Sequence, residues 1–373
     1  MVNNNIIKPN NSFKEKVDNF GIDPNENAFK RALRNNNNAN LKKEEEKYNL
    51  ITNLPVKPYN NTYPNMKINL SNIKKEEYSK SDSGNNVIFD ADTEKYLNNG
   101  IMPTEGYSMK ASSVKEYGYA QNQNPRYRSY MEDFPKIVDK FMGDKNKGVF
   151  AIFDGHGGDE VAQMAKERFC DLFSYYLYNS KSNIEQSYQN AFRKIDEEIS
   201  KGNYSENTGS TACVAYICQD NNLISGAQRF IYTANLGDTR AVLVSKNSCK
   251  RLTVDHKCAD REEEKRIRSA GGVLIDGRIF GQLILSRALG DFAFKKYGIS
   301  CVPYIQKHLI TENDLYLVLA SDGVWDVIQD NDLPNLIKEK GNTGIGKVAE
   351  HVVNSAMERG SQDNISCLVL KLN

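Results

Sequence analysis

The chain has 373 residues, 39% hydrophobic and 26% charged, a length that allows one large domain or two modest ones. Its 49 Lys and Arg against 48 Asp and Glu leave a formal net charge of +1, which removes global charge as a reason to expect nucleic-acid or membrane-surface binding. The mean hydropathy of -0.62 is lower than a single compact core would give, so part of the chain is expected not to pack.

In chain order, the opening residues MVNNNIIKPNN lack a basic stretch followed by an apolar one, and no run of about 18 uncharged apolar residues occurs, so neither a secretory leader nor a membrane span is expected. Residues 1–105 read as an Asn-rich, largely disordered extension. Asn supplies 24 of the first 100 residues, beside charge blocks such as KKEEEK at 42–47. Such a segment buries too little apolar surface to offset its ordering entropy. A short element near Asn86–Leu97 could dock onto the domain. From 106 to 373 the pattern changes to that of a folded domain. Strand-length apolar runs fall at Gly148–Phe153, Thr211–Ile217, Phe230–Leu236, Ala241–Ser245, Leu315–Ala320 and Ile365–Leu370. Helical spacing marks Glu160–Tyr176, Ile184–Ile199, Glu262–Ser269, Asp332–Lys340 and Ile345–Arg359. The elements come in groups and not in strict alternation, which predicts an α+β fold with antiparallel sheets and helices on the outer faces. The seven cysteines are odd in number and form no CxxC. They read as reduced thiols packed as small hydrophobes in an intracellular protein, of the cytoplasm or nucleus.

The acids carry the chemical signal. Three apolar runs end abruptly in Asp-Gly or Gly-Asp, at Asp154-Gly155-His156, Gly237-Asp238 and Asp322-Gly323. Gln362-Asp363-Asn364 leads into the last run, and Met131-Glu132-Asp133 follows Arg128. Taken singly, each has a plain reading: an Asp-Gly turn, a solvated acidic pair, a surface His156, an Arg128 in a weak surface ion pair. Together they describe carboxylates held at strand ends, whose mutual repulsion a hard divalent cation with a preference for oxygen ligands would relieve.

The ordered motifs RSYMED (128–133), DGHGG (154–158), TGSTA (208–212), ANLGDTRAVL (234–243), LTVDHK (252–257), AGG (270–272), LSRALGDFAFK (285–295), ASDGVWDV (320–327) and SQDNIS (361–366) resemble those of the type 2C metal-dependent serine/threonine protein phosphatases. The resemblance covers roughly 107–373. It implies a β-sandwich of two antiparallel sheets flanked by α-helices on both faces, with a dinuclear Mg²⁺ or Mn²⁺ site at one edge. By the same resemblance Asp154 would bridge two ions. Asp322 and Asp363 would complete one ion's ligands, and Glu132 and the Gly155 carbonyl would serve the other. Asp133 would organise water around the ions. Arg128 would grip the substrate phosphate, and His156 would be the general acid that protonates the leaving oxygen after attack by a metal-bridging hydroxide.

The chemistry suits such parts. Two divalent ions lower the pKa of a water and clamp phosphate oxygens. Arginine's planar fork matches a phosphate. Histidine's ordinary pKa suits proton donation near neutrality. Glu206 stands where many members carry an Asp associated with a third metal, and its longer side chain could still reach. Cys258 replaces the usual Pro after DHK, which is expected to loosen the flap beside the site. Asp238, Asp255 and Asp291 read as turn or sheet-edge hydrogen bonders, Arg287 as the partner of a core-edge carboxylate, and Trp325 as a core residue. Phosphorylated proteins are the implied partners of a monomer that binds neither nucleic acid nor membrane. A catalytically silent interaction module of the same fold is the alternative. It is disfavoured because a scaffold has no reason to hold repelling carboxylates together. A two-metal nuclease would need a basic stripe that is missing.

Overall fold

The computed structural model describes residues 107–373 apart from 181–182, 223–225 and 247. The expectations for residues 1–105, including the element near Asn86–Leu97, lie outside the described residues. Strands β1 (Tyr107–Lys110) and β2 (Glu116–Asn122) are followed by the hairpin β3 (Asp133–Asp139) and β4 (Gly148–His156). Helices α1 (Glu160–Asn179) and α2 (Ile184–Ser200) come next, then β5 (Gly209–Ser210), β6 (Ala212–Asn222), β7 (Gly226–Leu236), β8 (Arg240–Ser245) and β9 (Cys249–Arg251). A segment with α3 (Arg261–Ser269), the short strands β10 (Leu274–Ile275), β11 (Arg278–Ile279) and β12 (Leu289–Gly290), and α4 (Phe292–Lys295) leads to β13 (Tyr304–Leu309) and β14 (Asp314–Ala320). The chain closes with α5 (Asp322–Trp325), α6 (Leu333–Lys340), α7 (Ile345–Glu358) and β15 (Ile365–Lys371).

One sheet runs β1-β2-β15-β14-β8-β9. In the other, β4 lies between β3 and β6, followed by β7 and β13, while β5 and β12 extend from the end of β4. Pairing within both sheets is antiparallel. The sheets stack through Phe150 and Ile152 of β4, Leu317 and Leu319 of β14, and Leu368 and Leu370 of β15, all buried. The alternate residues face outward and are buried too. Val149, Ala151 and Phe153 pack with Phe169, Phe173 and Phe192 of the first two helices. Val318 and Val369 pack with Val348 and Val352 of α7, on the opposite side. The central strands β4, β14 and β15 are therefore covered on both faces, which is why these runs read as continuous apolar stretches without a period of two. Full burial of one such Phe or Leu contributes about 1.5–3 kcal/mol. The α+β fold with two antiparallel sheets and flanking helices is the one expected.

Three strands escape the apolar pattern. Gly118 sits inside β2, where an added Cβ would lie 2.5 Å from the Gly346 nitrogen, so its backbone is pressed against α7. β3 contains Pro135 and pairs only with β4, an edge position that tolerates a missing N–H. β13 is likewise an edge strand, mostly half-exposed. Asn183 begins α2 by accepting from the Gln186 N–H at 3.0 Å, a cap worth about 1 kcal/mol. Trp325 packs in the core as expected and donates its Nε1 proton to the Ala320 carbonyl at 2.8 Å. Arg287 pairs with Glu263 at 2.6 Å. Cys258 departs from expectation. Its amide donates to the Ile284 carbonyl at 2.7 Å, a bond a proline could not make, so the replacement ties this segment down.

Candidate active site

Strand register brings the predicted acids to one end of the sandwich. Asp133 is directly opposite Asp154 across β3 and β4. Ala320 is opposite Cys367, so Asp322, just past β14, and Asp363, just before β15, leave their sheet at the same end. The sheets are joined there by a polar chain. The Ser321 hydroxyl donates to Asp133 Oδ2 at 2.8 Å and accepts from the Ser366 N–H at 3.0 Å. The Ser366 hydroxyl accepts from Tyr119 at 3.1 Å.

Each acid has a distinct setting. Glu132 is buried, and its Oε1 accepts from the Gly158 N–H at 2.8 Å. Its own N–H donates to Asn364 Oδ1. The Gly155 N–H donates to the Glu132 carbonyl at 3.0 Å, and a Cβ at Gly155 would lie 2.9 Å from that oxygen. Only glycine permits this approach. Asp363 accepts from its neighbour's amide, Asn364 N–H, at 2.7 Å and pairs with Arg128. The Arg128 Nε also donates to the Gln362 carbonyl at 3.2 Å.

The electrostatics are those of crowded like charges. Desolvation, followed by the neighbouring carboxylates Asp133, Asp322, Asp238 and Asp363, drives Asp154 well above the usual carboxylate range. Desolvation and Asp238, Asp363, Asp326 and Asp133 do the same to Asp322. Burial pushes Asp133 up to about 6 against its serine hydrogen bond, and Asp133 Oδ1 is buried with no partner among the described residues. Desolvation also raises Glu132 and Asp363, opposed by the Gly158 N–H and Arg128 respectively. An all-oxygen donor set, an orphaned buried carboxylate oxygen and mutual repulsion suit a hard divalent cation. Among the described residues, no three acidic, His or Cys side chains gather tightly enough to close round one ion. Asp363 is turned to Arg128 and Glu132 to the Gly158 amide.

His156 closes the site at the end of β4. Its Nε2 lies 2.8 Å from Oδ2 of the buried Asp291. Burial would lower its pKa, but the Asp291 carboxylate, with Asp238 and Glu132 adding to it, makes the net shift upward. Asp291 is thus a hydrogen bonder, as read, but its partner is the predicted acid, 135 residues away in sequence. No local spacing announces that pairing. Asp238, read as a turn residue, is buried, pairs with Lys257 at 3.3 Å and joins the acidic group. Asp326 was not singled out. It caps the C-terminus of α5, its N–H donating to the Asp322 carbonyl at 2.8 Å, and its i, i+4 spacing from Asp322 could have flagged it. Glu206 is exposed in the segment before β5, and the acids acting on Asp322 are the four named above. Cys170 is buried on α1 and its thiol is pushed up to about 12 by desolvation, which suits the absence of a cysteine nucleophile from the reading.

Two stacked antiparallel sheets with helices outside and carboxylates gathered at one end define an α+β sandwich with an acidic site, and comparison with known proteins gives its family. A family profile described as protein phosphatase 2C matches residues 117–365. Protein phosphatase 2C homolog 1 of Saccharomyces cerevisiae is 33% identical over 267 residues, covering 68% of this chain and 92% of that protein. Probable protein phosphatase 2C 59 of Arabidopsis thaliana is 32% identical, covering 77% and 88%. The chain belongs to the protein phosphatase 2C family. Among solved structures, a C. elegans sex determining protein superposes with a TM-score of 0.60 at 28% identity, covering 69% of this chain and 64% of that one. Serine-threonine phosphatase 2C from Toxoplasma gondii gives 0.58 at 19% identity, covering 73% and 100%, a likeness of fold alone.

Proposed function

We propose that this chain hydrolyses phosphoserine and phosphothreonine in proteins with the help of Mg²⁺ or Mn²⁺. The observation that carries the reading is the convergence of Glu132, Asp133, Asp154, Asp322 and Asp363 at one end of the sandwich, with Arg128 on Asp363 and His156 beside them.

Glu132, Asp154, the Gly155 carbonyl, Asp322 and Asp363 would hold two ions, with Asp133 supporting them from the buried side. Glu206 is the residue assigned to a third. Bound there, the ions supply the Lewis acidity that activates water and neutralises phosphate oxygens. The remaining steps belong to side chains. Arg128, exposed enough to meet substrate, offers its guanidinium to the phosphate and shares it with Asp363. With Nε2 engaged by Asp291, Nδ1 of His156 is the nitrogen that gives a proton to the departing serine or threonine oxygen as the P–O bond breaks. Water adds to phosphorus, and phosphate and the free hydroxyl side chain leave. An alkoxide would otherwise be a poor leaving group, and such a proton transfer contributes about 10²–10⁴ in rate.

The direct experiment measures phosphate release from a phosphothreonine peptide by the full chain, with Mn²⁺ and with chelator. We expect metal-dependent turnover that Asp154→Ala abolishes. No turnover in Mn²⁺ would return the chain to the silent-module reading, and full activity in Asp154→Ala would remove Asp154 from the metal-holding residues.

A further inference from the structure

We infer that the loop between β2 and β3 selects phosphoproteins carrying acidic residues close to the phosphorylated position. The inference rests on the phosphatase reading and deepens it. The loop, residues 123–131, carries Arg128 and ends at Glu132, so its tip borders the place assigned to the substrate phosphate. Its backbone is pinned from below. Asn124 is buried, adopts a left-handed φ of 57° and donates its side-chain amide to the Ser361 carbonyl at 2.7 Å. The amides of Tyr127 and Arg128 donate back to the Asn124 carbonyl at 2.9 and 3.1 Å. The buried Asn364 amide donates to the carbonyls of Gln123 and Tyr130 at 2.8 and 3.1 Å, clasping both ends of the loop.

The side chains at the tip point the other way. Arg126, Tyr127 and Tyr130 are exposed, the two tyrosines by 46% and 57%. The Arg126 guanidinium lies 5.4 Å from the centre of the Tyr127 ring and forms no ion pair with an acid among the described residues. A cation stacked on an aromatic ring, with a second exposed tyrosine three residues further along the same loop, on a fixed backbone, is an arrangement suited to binding a peptide with little ordering cost. Charge complementarity chooses the peptide: a guanidinium with no acidic partner among the described residues recognises a carboxylate. Arg126 and Arg128 are two residues apart, about 7 Å at most along the backbone. An extended peptide with its phosphate on Arg128 therefore brings residues two or three positions away to Arg126.

The test compares three phosphothreonine peptides that differ only two and three positions from the phosphoresidue, carrying Asp, Asn or Lys there. Wild type should prefer Asp over Lys in kcat/KM by about three- to tenfold, the size of exposed charge pairs and repulsions, and the preference should shrink as salt rises. Arg126→Glu should reverse the order. Tyr127→Ala and Tyr130→Ala should raise KM on all three peptides. Equal kcat/KM for the three peptides in wild type would overturn the inference while leaving the phosphatase reading intact. So would an order unchanged in Arg126→Glu, or an equal loss in that variant on the peptides and on p-nitrophenyl phosphate. Failure to hydrolyse any of the peptides would sink both.

Discussion

His156 and Asp291 meet at 2.8 Å between elements that the sequence places 135 residues apart. Asp291 is 1% exposed, holds a left-handed φ of 54° and donates its amide to the Thr208 carbonyl at 2.9 Å, so its carboxylate has one fixed direction. A carboxylate on one imidazole nitrogen settles which nitrogen faces outward and favours the protonated ring. In Asp291→Asn, kcat on a phosphothreonine peptide should fall about 10- to 100-fold, the range expected when a general acid loses its support. The loss on p-nitrophenyl phosphate, whose leaving group needs little protonation, should be much smaller. Equal losses on both substrates would show that Asp291 serves the fold and not the ring.

Gly209 tests the same pair from a third strand. It sits opposite both His156 and Gly290 in the β4–β5–β12 ladder. A Cβ there would fall inside contact distance of Asp291 Oδ2 and 2.6 Å from His156 Nε2. Gly209→Ala should therefore drive the two side chains apart. We expect the Asp291→Asn pattern of kinetic loss with a circular dichroism spectrum like wild type, and little further loss when the two substitutions are combined. Additive losses would mean that the methyl group disturbs something else.

The sandwich was largely legible because strands covered on both faces are unbroken apolar words, and the major helices carry a clear apolar face. What escaped was set by tertiary contact. β2 reads poorly because Gly118 exists to let α7 approach, and β3 because an edge strand can accept Pro135. The same division holds in the site. Asp154, Asp322 and Asp363 announce themselves by ending or preceding apolar runs. Asp291 does not, since its meaning lies wholly in a partner brought by a different part of the chain. Cys258 was misjudged because sequence reveals the lost proline but not the carbonyl waiting for its amide.

Glu263 on α3 offers a stability test away from the chemistry. Burial would raise its pKa, but Arg287, the Ser286 hydroxyl and Arg266 hold it down at about 2. Because the folded value lies below the ordinary 4.5, the contribution is complete above about pH 4.5 and is lost as pH falls toward 2. Glu263→Gln strips a partly buried pair of its ionised partner, and hydrogen bonds to a charged group are worth about 1.5–3 kcal/mol. Thermal unfolding at pH 7 should show Glu263→Gln well below wild type, and the gap should narrow steadily between pH 4.5 and 2.5. A gap that stays constant with pH would mean that the ionised carboxylate contributes nothing.

Asp154 should show the opposite balance, stability given up for function. Its carboxylate faces desolvation and the charges of Asp133, Asp322, Asp238 and Asp363. Without a cation, removing one of these like charges relieves the rest, so Asp154→Asn measured in chelator should melt about 2–5 °C above wild type. Added Mn²⁺ should reverse the ranking. It stabilises whatever folded state binds it in proportion to the logarithm of its concentration over Kd, so wild type should gain several degrees and Asp154→Asn little. Phosphatase activity should be absent from the variant under both conditions. If the substitution instead lowered the melting temperature in chelator, mutual repulsion could not be the dominant force among these carboxylates, and the physical reason for placing divalent ions there would be gone.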